Sequence, residues 1–111
     1  MQRLRKNRDF QKVYKSGRSA ADKLLVSYCM DNGSEENRVG VSVSKKVGNS
    51  VVRHRMKRLV KEAFRSREED FGRGRDIIFI VRKSAAEADF EAVSHSVSRL
   101  MKKMERAAKK E

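Results

Sequence analysis

Apolar residues along this chain recur at two spacings, and the changes between them mark the elements. Phe10, Val13 and Tyr14 fall at i, i+3 and i+4 behind Asn7 and Asp9, which predicts a helix capped by Asn7 and closed by Gly17. Leu24–Met30 (LLVSYCM) predicts a strand with Leu24, Val26, Tyr28 and Met30 on one face. Asp31-Asn32-Gly33-Ser34, extended by Glu35, Glu36 and Asn37, is a turn signal. Val39, Val41 and Val43 then alternate with Gly40, Ser42 and Ser44, so Arg38–Lys46 reads as the paired strand of a hairpin. Gly48-Asn49-Ser50 ends that strand and caps a helix running to about Arg67, after which Ser66–Arg75 is charged and reads as a loop. Ile77–Val81 (IIFIV) is apolar throughout and too short for a helix, hence a strand buried on both faces. Phe90, Val93, Val97, Leu100 and Met104 mark a last helix with Asp89 as N-cap. Residues 1–6 and 105–111, the latter within a charged tail that starts at Lys102, are expected to fray.

The order helix, strand hairpin, helix, strand, helix predicts an α+β fold, a single compact α/β sandwich with residues 1–111 forming one domain. A strand, a crossover helix and a second strand suggest that Val39–Lys45 and Ile77–Val81 lie parallel, with the helices on one side.

Charge changes the picture most in the second helix. At 100° per residue, Val52, Met56, Leu59, Val60, Ala63 and Phe64 share one arc. Arg53, His54, Arg55, Lys57, Arg58, Lys61 and Arg65 fill the other, and Lys45 and Lys46 come just before. Glu62 is the one acid there, too few to pair so many bases at i, i+4. A face of one sign repels itself and calls for a polyanion, most naturally nucleic acid. The whole chain agrees: 111 residues carry a net charge of +13, with a pI near 10.4. An anionic membrane is the poorer partner, since the apolar arc has no Trp and mixes in Val52 and Ala63.

Catalytic motifs are missing. His54 and His95 fall on different helices with no Cys or carboxylate at metal-ligand spacing, and no G-x-S-x-G elbow occurs. Gly48-Asn49-Ser50 precedes a helix N-terminus, but without a Walker lysine pattern. The single cysteine, Cys29, sits in an apolar stretch and reads as a buried thiol of a cytoplasmic protein. The start MQRLRKNRDF has no apolar core, so neither signal peptide nor membrane span is expected. RNA is favoured over duplex DNA because Phe10, Tyr14 and Tyr28 could stack on unpaired bases, although by spacing alone Phe10 and Tyr14 read better as a core stripe.

The segments DFQKVYKSG (Asp9–Gly17), VGVSVSKK (Val39–Lys46) and GNSVVRHRMKRL (Gly48–Leu59) resemble the family of bacterial ribonuclease P protein subunits. The resemblance extends over nearly the whole chain, including Ile77–Arg82 and the last helix. It implies a small basic protein that binds a catalytic RNA and the 5′ leader of precursor tRNA. The RNA would perform the endonucleolytic step and hold the Mg2+ ions, while this chain holds no metal and takes no small-molecule substrate. By position, the family's Arg-Asn-Arg motif falls on Arg53-His54-Arg55, followed by Lys57, Arg58 and Lys61. With Lys45, Lys46 and Arg65 these form the expected catalytic-RNA surface, and the leader cleft falls on Phe10, Tyr14, Val26 and Tyr28. His54 departs from the family's asparagine and loses the two-pronged amide edge, while Arg53 and Arg55 keep the charge. The resemblance also implies a left-handed crossover between the parallel strands, against a base rate of about 98% right-handed. A ribosomal-type structural RNA-binding protein and a nucleoid-type DNA-binding protein remain the alternatives.

Overall fold

Ile77, Ile78, Phe79 and Val81 bury both sides of one strand, and that strand takes the middle of the sheet. The computed structural model describes residues 1–110, with side chains through Ala107. Its elements are β1 (Gln2–Arg3), α1 (Asn7–Ser16), β2 (Arg18–Ala21), β3 (Leu25–Asp31), β4 (Arg38–Val43), α2 (Ser50–Ser66), β5 (Arg75–Val81) and α3 (Phe90–Lys110). The five strands form one mixed sheet in the order β1-β4-β5-β3-β2. As expected, β4 and β5 are parallel neighbours joined through α2, with Val39 opposite Ile77 and Val43 opposite Val81.

The expected hairpin is absent, because β5 lies between β3 and β4 and pairs with both. Placing the apolar run Ile77–Val81 centrally gives it a strand on each edge and helices over both faces, whereas β3 and β4 each alternate and tolerate a less enclosed place. The Asn32–Asn37 connection therefore crosses over the end of β5. Asp76 fastens it there, accepting from Asn32 Nδ2 at 3.0 Å and from Arg38 at 2.7 and 2.5 Å. The true hairpin joins β2 and β3, and Asp22 Oδ1 closes its turn by accepting from Leu24 and Leu25 N–H, each at 2.9 Å.

Helices cover both faces of the sheet rather than one. On the first, α2 and α3 bury Met56, Val60, Phe64, Val97, Leu100 and Met104 against Leu25, Cys29, Val39, Ile77 and Phe79. On the second, α1 presses Val13 onto Ile78, with Leu4, Phe10, Tyr14, Tyr28 and Met30 around them. Alternation along β3 divides Leu25, Ser27 and Cys29 from Val26, Tyr28 and Met30. Leu24 lies outside the strand and packs with the larger core, against its expected place beside Val26.

Residues 1–6 are not frayed. Gln2 N–H donates to Asn37 at 2.7 Å, Leu4 N–H to Val39 at 3.0 Å, and Leu4 is 3% exposed. At the other end α3 continues through 105, where the Glu105 carboxylate accepts from Gly72 N–H at 2.5 Å and pairs with Arg75 at 3.1 Å. Glu111 lies outside the described residues. Helix ends fall close to expectation: Lys6 stands at the α1 N-cap instead of Asn7, Gly17 N–H closes that helix onto Val13 O, and Asp89 accepts from Ala92 N–H.

Candidate nucleic-acid interface

Asn49 starts α2 by accepting from Val52 N–H at 3.0 Å, and this fixes which residues of the helix face outward. With Met56, Val60, Ala63 and Phe64 buried, the bases divide into three groups. Arg53, Lys57 and Lys61 form a half-buried row at i, i+4, i+8. His54 and Arg58 are exposed, as are Lys45 and Lys46 in the turn before the helix. Arg55 and Arg65 are exposed but engaged within the chain. Arg55 donates to the Ala88 carbonyl at 2.9 Å and to Ala86 at 3.5 Å, and Arg65 pairs with Glu62 at 3.1 Å. Among the described residues, Arg53, Lys57, Arg58 and Lys61 form no ion pair. Partial burial pushes the Lys61 ammonium below its ordinary pKa, and the nearby charges of Arg3, Lys57 and Arg65 push it further the same way.

The aromatic residues lie on the opposite face of the sheet. Tyr14 meets Tyr28 edge-on, with centroids 5.1 Å apart at 86°, and Phe10 lies 6.3 Å from Tyr14. Burial first, and the neighbouring Tyr28 second, raise the Tyr14 hydroxyl above its usual pKa. Register places Ser19, Tyr28, Ile78 and Gly40 in one row across the sheet, and Ala21, Val26, Ile80 and Ser42 in the next. Phe10, Tyr14, Val26, Tyr28 and Ile80 are all half-buried, so these rings serve the smaller core and still show an apolar edge. The packing makes Phe10 and Tyr14 a core stripe whose rings each keep an exposed edge.

Sequence reasoning did not bring Arg3 and Arg5 beside Lys61 or leave Ile80 half-buried. The alternation Arg3-Leu4-Arg5 was a strand signal too short to stand alone, and Ile80 was assigned to full burial with the rest of β5. Among the described residues no group of three His, Cys, Asp or Glu side chains is placed to hold a metal ion. Burial raises the Cys29 thiol pKa, against the neighbouring charges of Arg75 and Arg18, which favour the thiolate. Among the described residues no helix is long and apolar enough to cross a membrane.

A mixed sheet between helices, with a strongly cationic helix on one side and half-buried aromatic rings on the other, defines a small basic α+β protein suited to polyanions. Residues 1–105 match the sequence profile of the ribonuclease P protein family, described as Ribonuclease P. A ribonuclease P protein component of Alkaliphilus oremlandii is 49% identical over 102 residues, which cover 92% of this chain and 90% of that protein. The ribonuclease P protein of Thermotoga maritima superposes with a TM-score of 0.84 at 33% identity, over 93% of this chain and 97% of that one. The Staphylococcus aureus ribonuclease P protein gives 0.83 at 36% identity, over 92% and 94%. The chain belongs to the ribonuclease P protein family.

Proposed function

We propose that this chain is the protein subunit of ribonuclease P and assists removal of the 5′ leader from precursor tRNA in the cytoplasm. The observation that carries the reading is the pairing, in a chain of this family, of a cationic helix whose Arg53, Lys57, Arg58 and Lys61 form no ion pair among the described residues with half-buried aromatic rings on the other side of the sheet. Arg53, His54, Lys57, Arg58 and Lys61, with Lys45 and Lys46, bind the phosphate backbone of the catalytic RNA. Arg55 and Arg65 add charge to that surface while also bonded within the chain. The cleft of Phe10, Tyr14, Val26 and Tyr28 takes the single-stranded leader by stacking.

The RNA performs the phosphodiester cleavage and holds the Mg2+ ions it requires. This chain contributes position and charge. Substrate is gripped twice, mature tRNA by the RNA and leader by the protein, so precursor is preferred over product. Neutralised phosphates let the RNA fold and act at lower magnesium.

The test is cleavage of a leader-bearing precursor tRNA at low magnesium by a bacterial ribonuclease P RNA, with and without this protein, and by the protein alone. Cleavage at the mature 5′ end only when both are present supports the reading. No stimulation with cognate or heterologous RNA reduces the chain to a general RNA binder.

A further inference from the structure

At the β1 edge of the sheet, between Lys61 of α2 and Phe10 of α1, a recess of about 360 Å³ is open to solvent. Arg3, Arg5 and Lys61 supply its charge, and Leu4, Phe10 and Val41 its apolar wall. The sequence pattern explains how they converge. Pairing of Gln2 and Arg3 with Arg38 and Val39 lays the N-terminal segment along β4, and Leu4 turns into the smaller core. Arg3 then comes within electrostatic reach of Lys61 on α2.

No acidic residue lines this recess, and among the described residues none of its three bases forms an ion pair. Lys57 and Arg65 add to the field at Lys61. Cations crowded beside half-buried apolar surface, with no counter-charge in the chain, form a site completed by an anion. The apolar wall narrows the choice. Phe10 belongs both to this wall and to the aromatic cleft, so an anion seated here adjoins a ring able to receive a base.

We propose that Arg3, Arg5 and Lys61 form a phosphate seat for single-stranded RNA, taking one phosphodiester while the edge of Phe10 contacts the attached nucleotide. The arginines offer forked donors suited to paired phosphate oxygens, and Lys61 a compact point charge. This rests on the reading that the chain handles RNA, and it extends that site to residues of the N-terminal segment. Two RNAs can supply the phosphodiester, the precursor leader or the catalytic RNA, and the chemistry of the seat is the same for both.

The experiment measures binding of the full chain to a fluorescent single-stranded oligoribonucleotide across a salt series. It compares the wild type with Lys61→Gln, with Arg3→Gln/Arg5→Gln, and with Lys102→Gln/Lys103→Gln on α3, a control that removes the same charge as the arginine pair outside the recess. The seat variants lose several-fold more affinity than the control, and their log–log salt slope falls by about 0.7 per lost contact, as for single strands. At low ionic strength Lys61→Gln melts no lower than the wild type, because it relieves crowding. Inorganic phosphate raises the wild-type Tm beyond chloride at equal ionic strength, and raises that of the variant less. In the assembled ribonucleoprotein, a loss confined to leader-bearing tRNA supports the seat and assigns the phosphodiester to the leader; a loss confined to assembly supports it on the catalytic RNA. Equal oligonucleotide losses in control and seat variants overturn the seat. Intact stimulation of cleavage in that case leaves the ribonuclease P reading standing.

Discussion

The Phe10 ring lies against the α-carbon of Gly40, so closely that a β-carbon there would come 2.5 Å from Cζ and 2.9 Å from Cε1. Gly40 thus lets α1 dock low on the sheet and sets how closely its aromatic rings approach the strands. Gly40→Ala is expected to force the ring aside at a cost of about 1–3 kcal/mol, typical of overpacking. In a Phe10→Ala background most of that cost should vanish. Chemical denaturation of the four proteins in this cycle measures the coupling, and additive losses would show that the ring does not rest on Gly40.

Tyr28 stands between Tyr14 and the open row of Val26 and Ile80, where a base leaving the α1 wall would next meet the sheet. Tyr28→Ala should weaken binding of leader-bearing tRNA to the holoenzyme by about 1–3 kcal/mol, the usual value of one stacked base, and leave mature tRNA unchanged. Tyr28→Phe, which retains the ring, should stay near wild type. Equal losses for precursor and mature tRNA would sink the leader cleft.

The helices were legible because their apolar stripes are long and their caps local: Asn49 and Asp89 act where the sequence placed them. Strand partners were legible only in part: the parallel pairing of β4 with β5 was, the partner of β3 was not. The hairpin reading of β3 and β4 followed chain order and a strong turn signal, but pairing is decided by burial, and IIFIV could be enclosed on both faces only by separating them. β2, with the sequence RSAA, has no apolar alternation and is recruited by its neighbour. The basic face of α2 was readable as a set, but the individual fates of its members depend on what stands across from them. Arg55 meets the carbonyls ahead of α3, and Lys61 shares a recess with Arg3. Those are tertiary facts, and no spacing along the helix contains them.

Arg58 and Arg55 should therefore separate by experiment. Arg58 is exposed and free of ion pairs among the described residues, so Arg58→Ala should reduce the log–log salt slope for the catalytic RNA by about one unit. Its stability should stay within about 0.5 kcal/mol of wild type. Arg55→Ala breaks the bonds to Ala88 and Ala86 and should cost about 1 kcal/mol of stability, with a smaller change in slope. A full unit of slope lost at Arg55 with unchanged stability would put its guanidinium on RNA instead.

Asp22 makes a prediction that needs no RNA. Burial alone would raise the pKa of its carboxyl, but the Ser96 hydroxyl at 2.6 Å, the N–H groups of Leu25 and Leu24, and Arg99 at 2.9 Å together hold it below the usual value. A folded pKa below the unfolded one means that the carboxylate stabilises the fold fully above the unfolded value of about 3.9. That contribution is lost as pH falls through the lower, folded pKa. Asp22→Asn keeps one acceptor oxygen but removes the charge, and should cost about 1–3 kcal/mol at pH 7. The gap between variant and wild type should hold to about pH 5 and close progressively below about pH 4, as the wild-type carboxyl is protonated. Urea unfolding of both proteins at several pH values reads the difference directly. A gap that does not narrow with acid would mean that Asp22 fastens the β2–β3 turn to α3 by shape alone and that its charge contributes nothing.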